Sequence, residues 1–133
     1  EGGILSYLAD IDRSNNPYEV GLDWLVDLDQ EDDFIGKEAL RLIRQNGPTK
    51  KLMGAEIHGD PIEDSNADHL PVFIDGKKVG SMNAMVYSPR LDKNICYTIL
   101  DIEHAKSGQE ILIAAPEKDL IATTIDLPWR DRA

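Results

Sequence analysis

The chain has 133 residues, of which 14 are Lys or Arg and 25 are Asp or Glu, so its formal net charge at pH 7 is −11. This length allows one buried core, arranged as one unit or as two small lobes. The excess of negative charge disfavours nucleic acid and anionic membrane surfaces as partners, and no apolar run in the sequence is long enough to cross a membrane.

The first apolar residues of the chain, in residues 4–11, fit a helix and a strand equally well. Residues 13–17, RSNNP, have the composition of a turn, and Asn16 is disfavoured in a helix because it precedes a proline. We therefore expect a turn at residues 13–17 and leave the preceding element open.

Apolar residues and aspartates are interleaved over residues 22–28, LDWLVDL. A short apolar run with polar residues between its members is typical of a strand. The pattern therefore predicts an extended segment here, with Trp24 near its middle.

A second apolar pattern follows between Phe34 and Ile43, where apolar residues recur at spacings of three and four. This spacing places them on one face of a short helix. We expect Asp32 or Asp33 to cap the start of the helix, and Gly47, which is followed by a proline, to end it.

Short apolar runs separated by turns fill the sequence after residue 48. We predict strands at residues 51–58, 70–74, 79–87, 94–100, 110–115 and 120–127. Asp75-Gly76 is a strong signal for a tight hairpin, and residues 60–69 form a polar loop. Six strands at this spacing predict a small barrel or sandwich.

Cys96, the single cysteine, lies within one of these predicted strands. One cysteine excludes an internal disulfide and any Cys-x-x-Cys metal site, and its position is typical of a small buried residue. The low cysteine content suits a reducing cytoplasm.

Neither a metal site nor a hydrolytic centre is predicted. The acidic residues from Asp27 to Glu38 approach the spacing of an EF-hand loop, but Asp32 stands where that loop requires glycine, so a solvated turn explains them better. The three histidines share no zinc-ligand spacing, no serine lies in a G-x-S-x-G motif, and no glycine-rich turn opens a helix.

Two stretches of the first part of the chain carry a resemblance to a known family. The chain resembles the aminomethyltransferase family, which includes the T-protein of the glycine cleavage system and folate-dependent demethylases, in its P-x-E-x-G-L and D-F-I-G-K-E-A-L motifs. These motifs are carried by residues 17–22 and 33–40, and the segment E-x-G-x-x-x-Y-x-x-D-x-D is similar from Glu1 to Asp12. The family has an arginine two places before that glutamate. The resemblance thus implies that this chain is a piece of a protein about three times as long.

The last part of the chain is similar to the family's C-terminal barrel. The pattern G-x7-S-P-x-L-x-x-N-I runs from Gly80 to Ile95. The family's usual Thr-Ser-Gly is replaced by Asn83, Ala84 and Met85. Together with the segments KLMGA and VYSP, this replacement slightly favours the branch that demethylates dimethylsulfoniopropionate over the glycine-cleavage branch.

The resemblance implies an α+β fold of two parts. Residues 1–47 would be a short strand and helix segment that finishes a folate-binding lobe, and residues 48–133 a roughly six-stranded antiparallel β-barrel. The implied activity is transfer of a one-carbon unit from a small amine or sulfonium donor to tetrahydrofolate. The family's catalytic aspartate lies in its N-terminal half, so we expect no catalytic residue in this chain and no activity from this piece alone. The implied partners are a small methyl or aminomethyl donor and, in the glycine-cleavage branch, a lipoyl carrier protein.

Five residues are candidates for contact with tetrahydrofolate on the basis of this resemblance. Glu1 could accept hydrogen bonds from a pterin edge or pair with an arginine upstream, and the pairing is the favoured explanation. Tyr7 and Trp24 offer aromatic rings, although packing in a core would also explain both, and for Trp24 is the favoured explanation. Trp129 and Arg130 align with a C-terminal segment that closes toward the folate opening, although an aromatic residue there could instead cover a strand edge.

Two other functions are consistent with parts of the pattern. One is a non-enzymatic folate-binding relative that assists iron-sulfur cluster assembly, although its K-G-C-Y-x-G-Q signature does not occur in these residues. The other is an isolated binding module without a folate role. An upstream sequence with the catalytic aspartate and the arginine would favour the enzyme, whereas the cysteine signature would favour the assembly factor.

Overall fold

A closed barrel of six antiparallel strands forms the larger part of the chain, as predicted. The computed structural model describes residues 2–63 and 68–129. Its strands are β1 (Lys50–Ile57), β2 (Leu70–Ile74), β3 (Lys77–Ser88), β4 (Lys93–Asp101), β5 (Glu110–Ile113) and β6 (Leu120–Ile125). Their order around the barrel is β1-β4-β3-β2-β5-β6, so β6 closes the barrel against β1.

Local sequence explains two features of the barrel. The β2–β3 hairpin turns at Asp75 and Gly76, whose φ angles of 49° and 78° lie in the left-handed region that Asp-Gly tolerates. The register of β3 against β4 shifts between Met82 and Ala84, which leaves Asn83 as an extra residue in β3. Alternate residues of the strands face inward and form one apolar core, which includes the buried Cys96.

The helix of the first part, α1 (Lys37–Asn46), begins later than predicted. Gly36 is its N-cap with a φ of 92°, and neither Asp32 nor Asp33 caps it. The Nζ atom of Lys37 donates hydrogen bonds to the backbone oxygens of Gln30 (2.7 Å) and Asp32 (3.0 Å). The buried ammonium group thus fixes the acidic loop before the helix. Gly47 ends the helix, as predicted.

The strand predicted at residues 22–28 was wrong. Asp23–Leu25 form a single 3-10 turn instead, after Gly21, whose φ is +71°. A second 3-10 turn, Ile102–His104, follows β4. Within the described ranges, none of these helical segments is long and apolar enough to cross a membrane.

Candidate functional site

A cleft of about 530 Å³ lies between residues 2–24 and one end of the barrel. We call it the tryptophan cleft, because both tryptophans line it. Its walls include Tyr18 and Trp24 on the N-terminal side and Lys51, Tyr97, Asp126 and Trp129 on the barrel side. Most of this lining is apolar or aromatic, with a few charged groups, as is common in small-molecule sites.

Trp24 lies on the N-terminal wall of the tryptophan cleft with 75% of its surface exposed. The interpretation of Trp24 as a core residue was therefore wrong for the described chain. None of the described strands pairs with the 3-10 turn, so no paired strand covers the ring. A flat indole face is thus open to a ligand in the cleft.

Trp129 lies on the opposite wall and is almost completely buried, with 1% of its surface exposed. Its ring packs with Ile95 and Ile125 on the outside of the barrel. Gly54 makes room for it, since a Cβ atom at that position would lie 2.8 Å from Cζ2 of Trp129. Because the barrel is closed, Trp129 does not cover a strand edge. It forms a fixed base for the cleft.

Tyr97 connects Trp129 with the N-terminal segment. Its half-buried position raises the pKa of the Tyr97 phenol above 10.0, and the nearby Asp10 carboxylate raises it further. A hydrogen bond with the Trp129 side chain acts in the opposite direction. The hydroxyl therefore stays protonated at neutral pH and can donate a hydrogen bond in the cleft.

Lys51 and Asp126 form an ion pair in the wall of the tryptophan cleft, with Nζ and Oδ1 3.5 Å apart. Lys51 lies in β1, and Asp126 directly follows β6, which pairs with β1. Closure of the barrel brings the two side chains together although they are far apart in the sequence.

The other predicted contacts are placed as follows. Tyr7 is 60% exposed, so it is not a core aromatic, and it is not part of the cleft lining. Glu1 and Arg130 lie outside the described residues. The structure therefore brings Trp24 and Trp129 together in one cleft and leaves Tyr7 apart from them.

A second, more polar cavity of about 320 Å³ lies between residues 10–19 and strands β1 and β3. Its lining includes the buried Asp10, Glu19 and Asn83. At its edge, Ser14 donates hydrogen bonds from its hydroxyl and backbone N–H to Oδ1 of Asp12, and these bonds lower the pKa of the Asp12 carboxyl below 3.8. The side chain of Asn83 in β3 donates a hydrogen bond to the backbone oxygen of Asp10, and this bond holds the N-terminal segment on the barrel.

The acidic residues before α1 form local turn contacts. Oδ1 of Asp27 accepts hydrogen bonds from the backbone N–H groups of Asp29 (3.0 Å) and Gln30 (3.2 Å). In the described part of the chain, no group of three or more His, Cys, Asp or Glu residues is placed to hold a metal ion. The turn contacts account for Asp27 without a cation.

Sequence reasoning missed Tyr18, Lys51, Tyr97 and Asp126 as cleft residues. No local motif marks them, because they come from four separate segments that only the closed barrel brings together. A weak signal was available for Lys51 and Asp126, since each lies at the end of a predicted strand.

Comparison with known proteins identifies similar chains. A family model described as the glycine cleavage T-protein C-terminal barrel domain matches residues 50–131. An aminomethyltransferase from Herpetosiphon aurantiacus is 36% identical over 97% of this chain and 35% of its own length. An aminomethyltransferase from Listeria welshimeri is 34% identical over 100% of this chain and 36% of its own length.

A solved structure has the same fold. The crystal structure of glycine cleavage system aminomethyltransferase T from Bartonella henselae superposes with a TM-score of 0.81 at 19% identity, over 95% of this chain and 35% of that chain. The chain thus spans about a third of the length of the curated relatives it matches.

Proposed function

We propose that this chain is the C-terminal part of a tetrahydrofolate-dependent one-carbon transferase. The proposal follows from its family, because the chain belongs to the glycine cleavage T-protein C-terminal barrel domains. Residues 1–47 complete the folate-binding lobe in this proposal, and residues 48–133 form its barrel. The enzyme moves a one-carbon unit from a small amine or sulfonium donor to tetrahydrofolate. The rest of the active site, including the catalytic carboxylate, belongs to other parts of the longer protein.

The exposed indole of Trp24 in the tryptophan cleft is the observation that carries this proposal. A pterin is flat and heteroaromatic, so it can stack on the open ring of Trp24. The volume of about 530 Å³ lies in the range of small-molecule sites. The residues present therefore fit the cofactor.

The chain's own residues bind and orient the folate in this proposal. Trp24 stacks on the pterin, and Trp129 supports the base of the cleft and keeps water from it. Glu1 and Arg130 are proposed to contact polar edges of the folate. Tyr7, which lies outside the cleft, is proposed to contact a part of the folate that extends beyond it. Bound tetrahydrofolate supplies the nitrogen that accepts the one-carbon unit. Catalysis by this chain is then positioning of that nitrogen.

Two hydrogen bonds between the barrel and the N-terminal segment support the rigidity that such positioning requires. The backbone N–H of Leu52 in β1 donates to the backbone oxygen of Glu19 at 2.7 Å. The side chain of Asn83 in β3 donates to the backbone oxygen of Asp10 at 2.6 Å. Both hydrogen bonds hold the N-terminal segment, which forms one wall of the cleft, against the barrel.

Two observations favour two different donors, and we propose both as candidates. The named relatives are aminomethyltransferases, which favours an aminomethyl group delivered by a lipoyl carrier protein. The replacement of Thr-Ser-Gly by Asn83-Ala84-Met85 favours a sulfonium donor. Both reactions suit a cytoplasmic enzyme.

Calorimetric titration of the full-length protein with tetrahydrofolate tests the proposal, and it is repeated with each donor present. We expect binding of tetrahydrofolate, and formation of a methylene-folate with the amine donor or a methyl-folate with the sulfonium donor. Binding without either product would favour a non-enzymatic folate-binding relative. No heat with tetrahydrofolate would contradict a folate role, and would leave the isolated binding module.

A further inference from the structure

Lys51 has a special position in the tryptophan cleft. Among the described residues that line the cleft, Lys51 is the one Lys, Arg or His side chain. Two carboxylates, those of Asp23 and Asp126, also line it. The whole chain carries a net charge of −11. A ligand that carries a carboxylate therefore meets repulsion in most of the cleft and attraction at Lys51.

The ion pair between Lys51 and Asp126 is open to competition. The side chains of Lys51 and Asp126 are 45% and 58% exposed, and their charged atoms are 3.5 Å apart. Ion pairs this exposed contribute little to stability, because water solvates both partners nearly as well as they solvate each other. A carboxylate brought to Lys51 by a bound ligand can therefore displace Asp126 at little cost.

Tetrahydrofolate is a ligand of this kind, with a flat ring system at one end and glutamate carboxylates at the other. We propose that Lys51 binds a glutamate carboxylate of tetrahydrofolate, and that Asp126 forms an ion pair with Lys51 when no folate is bound. This inference rests on the proposed function, and it assigns the specificity for the glutamate tail to Lys51. In this proposal the ring system stacks on Trp24, which lines the N-terminal wall of the same cleft.

Two charge-removing variants give effects of opposite sign under this proposal. Lys51→Met keeps an unbranched side chain of nearly the same length and removes the cation, so the affinity for tetrahydrofolate should fall about tenfold. Asp126→Asn removes the competing carboxylate, so the affinity should rise about two- to fivefold. Lys78→Met is the matched control, because Lys78 is an exposed lysine of β3 outside the cleft, and it should change the affinity less than about twofold.

The test compares two probes by calorimetry on the full-length protein. Tetrahydrofolate carries the glutamate tail, and 6-methyltetrahydropterin has the same ring system without it. Lys51→Met should weaken the binding of tetrahydrofolate and leave the affinity for the pterin within about twofold of the wild type. Far-ultraviolet circular dichroism of each variant checks that its fold is retained.

The outcomes separate this inference from the proposed function. One contrary result is that the wild type binds both probes while Lys51→Met weakens the binding of neither probe, or weakens the binding of both equally. In either case the assignment of Lys51 is wrong while the folate function stands. The assignment is also wrong if Asp126→Asn lowers the affinity for tetrahydrofolate. If the wild type binds neither probe, the proposed function fails and the role of Lys51 fails with it.

Discussion

Asn83 donates a hydrogen bond from Nδ2 to the backbone oxygen of Asp10, with the two atoms 2.6 Å apart in a buried contact. The bulge in β3 leaves Asn83 without a register partner in β4, so its side chain is free to reach the N-terminal segment. Oδ1 of Asn83 accepts a hydrogen bond from the Ser81 hydroxyl at 3.3 Å. The barrel thus holds the segment that forms one wall of the tryptophan cleft.

Asn83→Ala should lower the free energy of unfolding by about 1–3 kcal/mol, because the Asp10 oxygen loses its buried donor. Chemical denaturation of the variant measures the change. Asn15→Ala is the control, since Asn15 accepts an exposed hydrogen bond from the Asp12 backbone N–H that water can replace, and it should cost less than about 0.5 kcal/mol. Equal costs for the two variants would argue against the Asn83 link.

Replacing Thr98 and Thr124 by valine should change the free energy of unfolding in opposite directions. Both are fully buried, but Oγ1 of Thr98 has no hydrogen-bond partner, whereas Oγ1 of Thr124 donates to the Lys106 oxygen (2.5 Å) and accepts from the Gln109 N–H (2.9 Å). Thr98→Val should raise the free energy of unfolding by about 1 kcal/mol, since it removes an unsatisfied hydroxyl. Thr124→Val should lower it by about 1–3 kcal/mol. Loss of stability in both variants would show that Thr98 has a partner.

Gly54→Ala should destabilise the protein by about 1–3 kcal/mol, because the new methyl group overlaps the Trp129 ring and the Ile125 side chain. Displacement of Trp129 should also shift its fluorescence emission to longer wavelength. Gly2→Ala is the matched control, since a Cβ atom at residue 2 meets no atom within 4 Å. An unchanged melting temperature for Gly54→Ala would contradict the close packing of Trp129 on β1.

Cys96 should make the protein less stable at alkaline pH. Burial raises the pKa of the Cys96 thiol from 9.0 to about 12, so between these values the unfolded chain releases a proton that the folded chain retains. The free energy of unfolding should fall as pH rises through this window, by about 1.4 kcal/mol per pH unit from this group. Cys96→Ala should show a shallower fall in denaturation midpoints between pH 9 and 11. Identical slopes would contradict the raised pKa.

The sequence was sufficient to predict the six strands because their signals are local, whereas the choice of a closed barrel over a sandwich came from the resemblance. Asp75 and Gly76 specify a tight hairpin by their own backbone preferences, and the β-rich runs around them need only pair with their neighbours. The strand predicted at residues 22–28 fails for the opposite reason. A strand needs a partner, and none of the described strands pairs with this segment. Despite its alternating pattern, the segment therefore forms an exposed turn around Trp24.

The site was less predictable than the fold. The sequence identified Trp24 and Trp129 by resemblance, but the burial of Trp129 depends on Gly54, which lies on a different strand. The pairing of Lys51 with Asp126 likewise depends on closure of the barrel between β1 and β6. Lys51 and Asp126 each lie at the end of a predicted strand, but neither local sequence indicates the distant segment that it contacts.

The most direct test of the account is the affinity of the full-length protein for tetrahydrofolate when Trp24 is replaced. Trp24→Leu should weaken binding about three- to tenfold, because the exposed indole loses its stacking contact with the pterin. Tyr87→Leu, which removes an aromatic ring of β3 outside the cleft, should change the affinity less than about twofold. Equal affinities for the wild type and Trp24→Leu would contradict the assignment of the tryptophan cleft to folate.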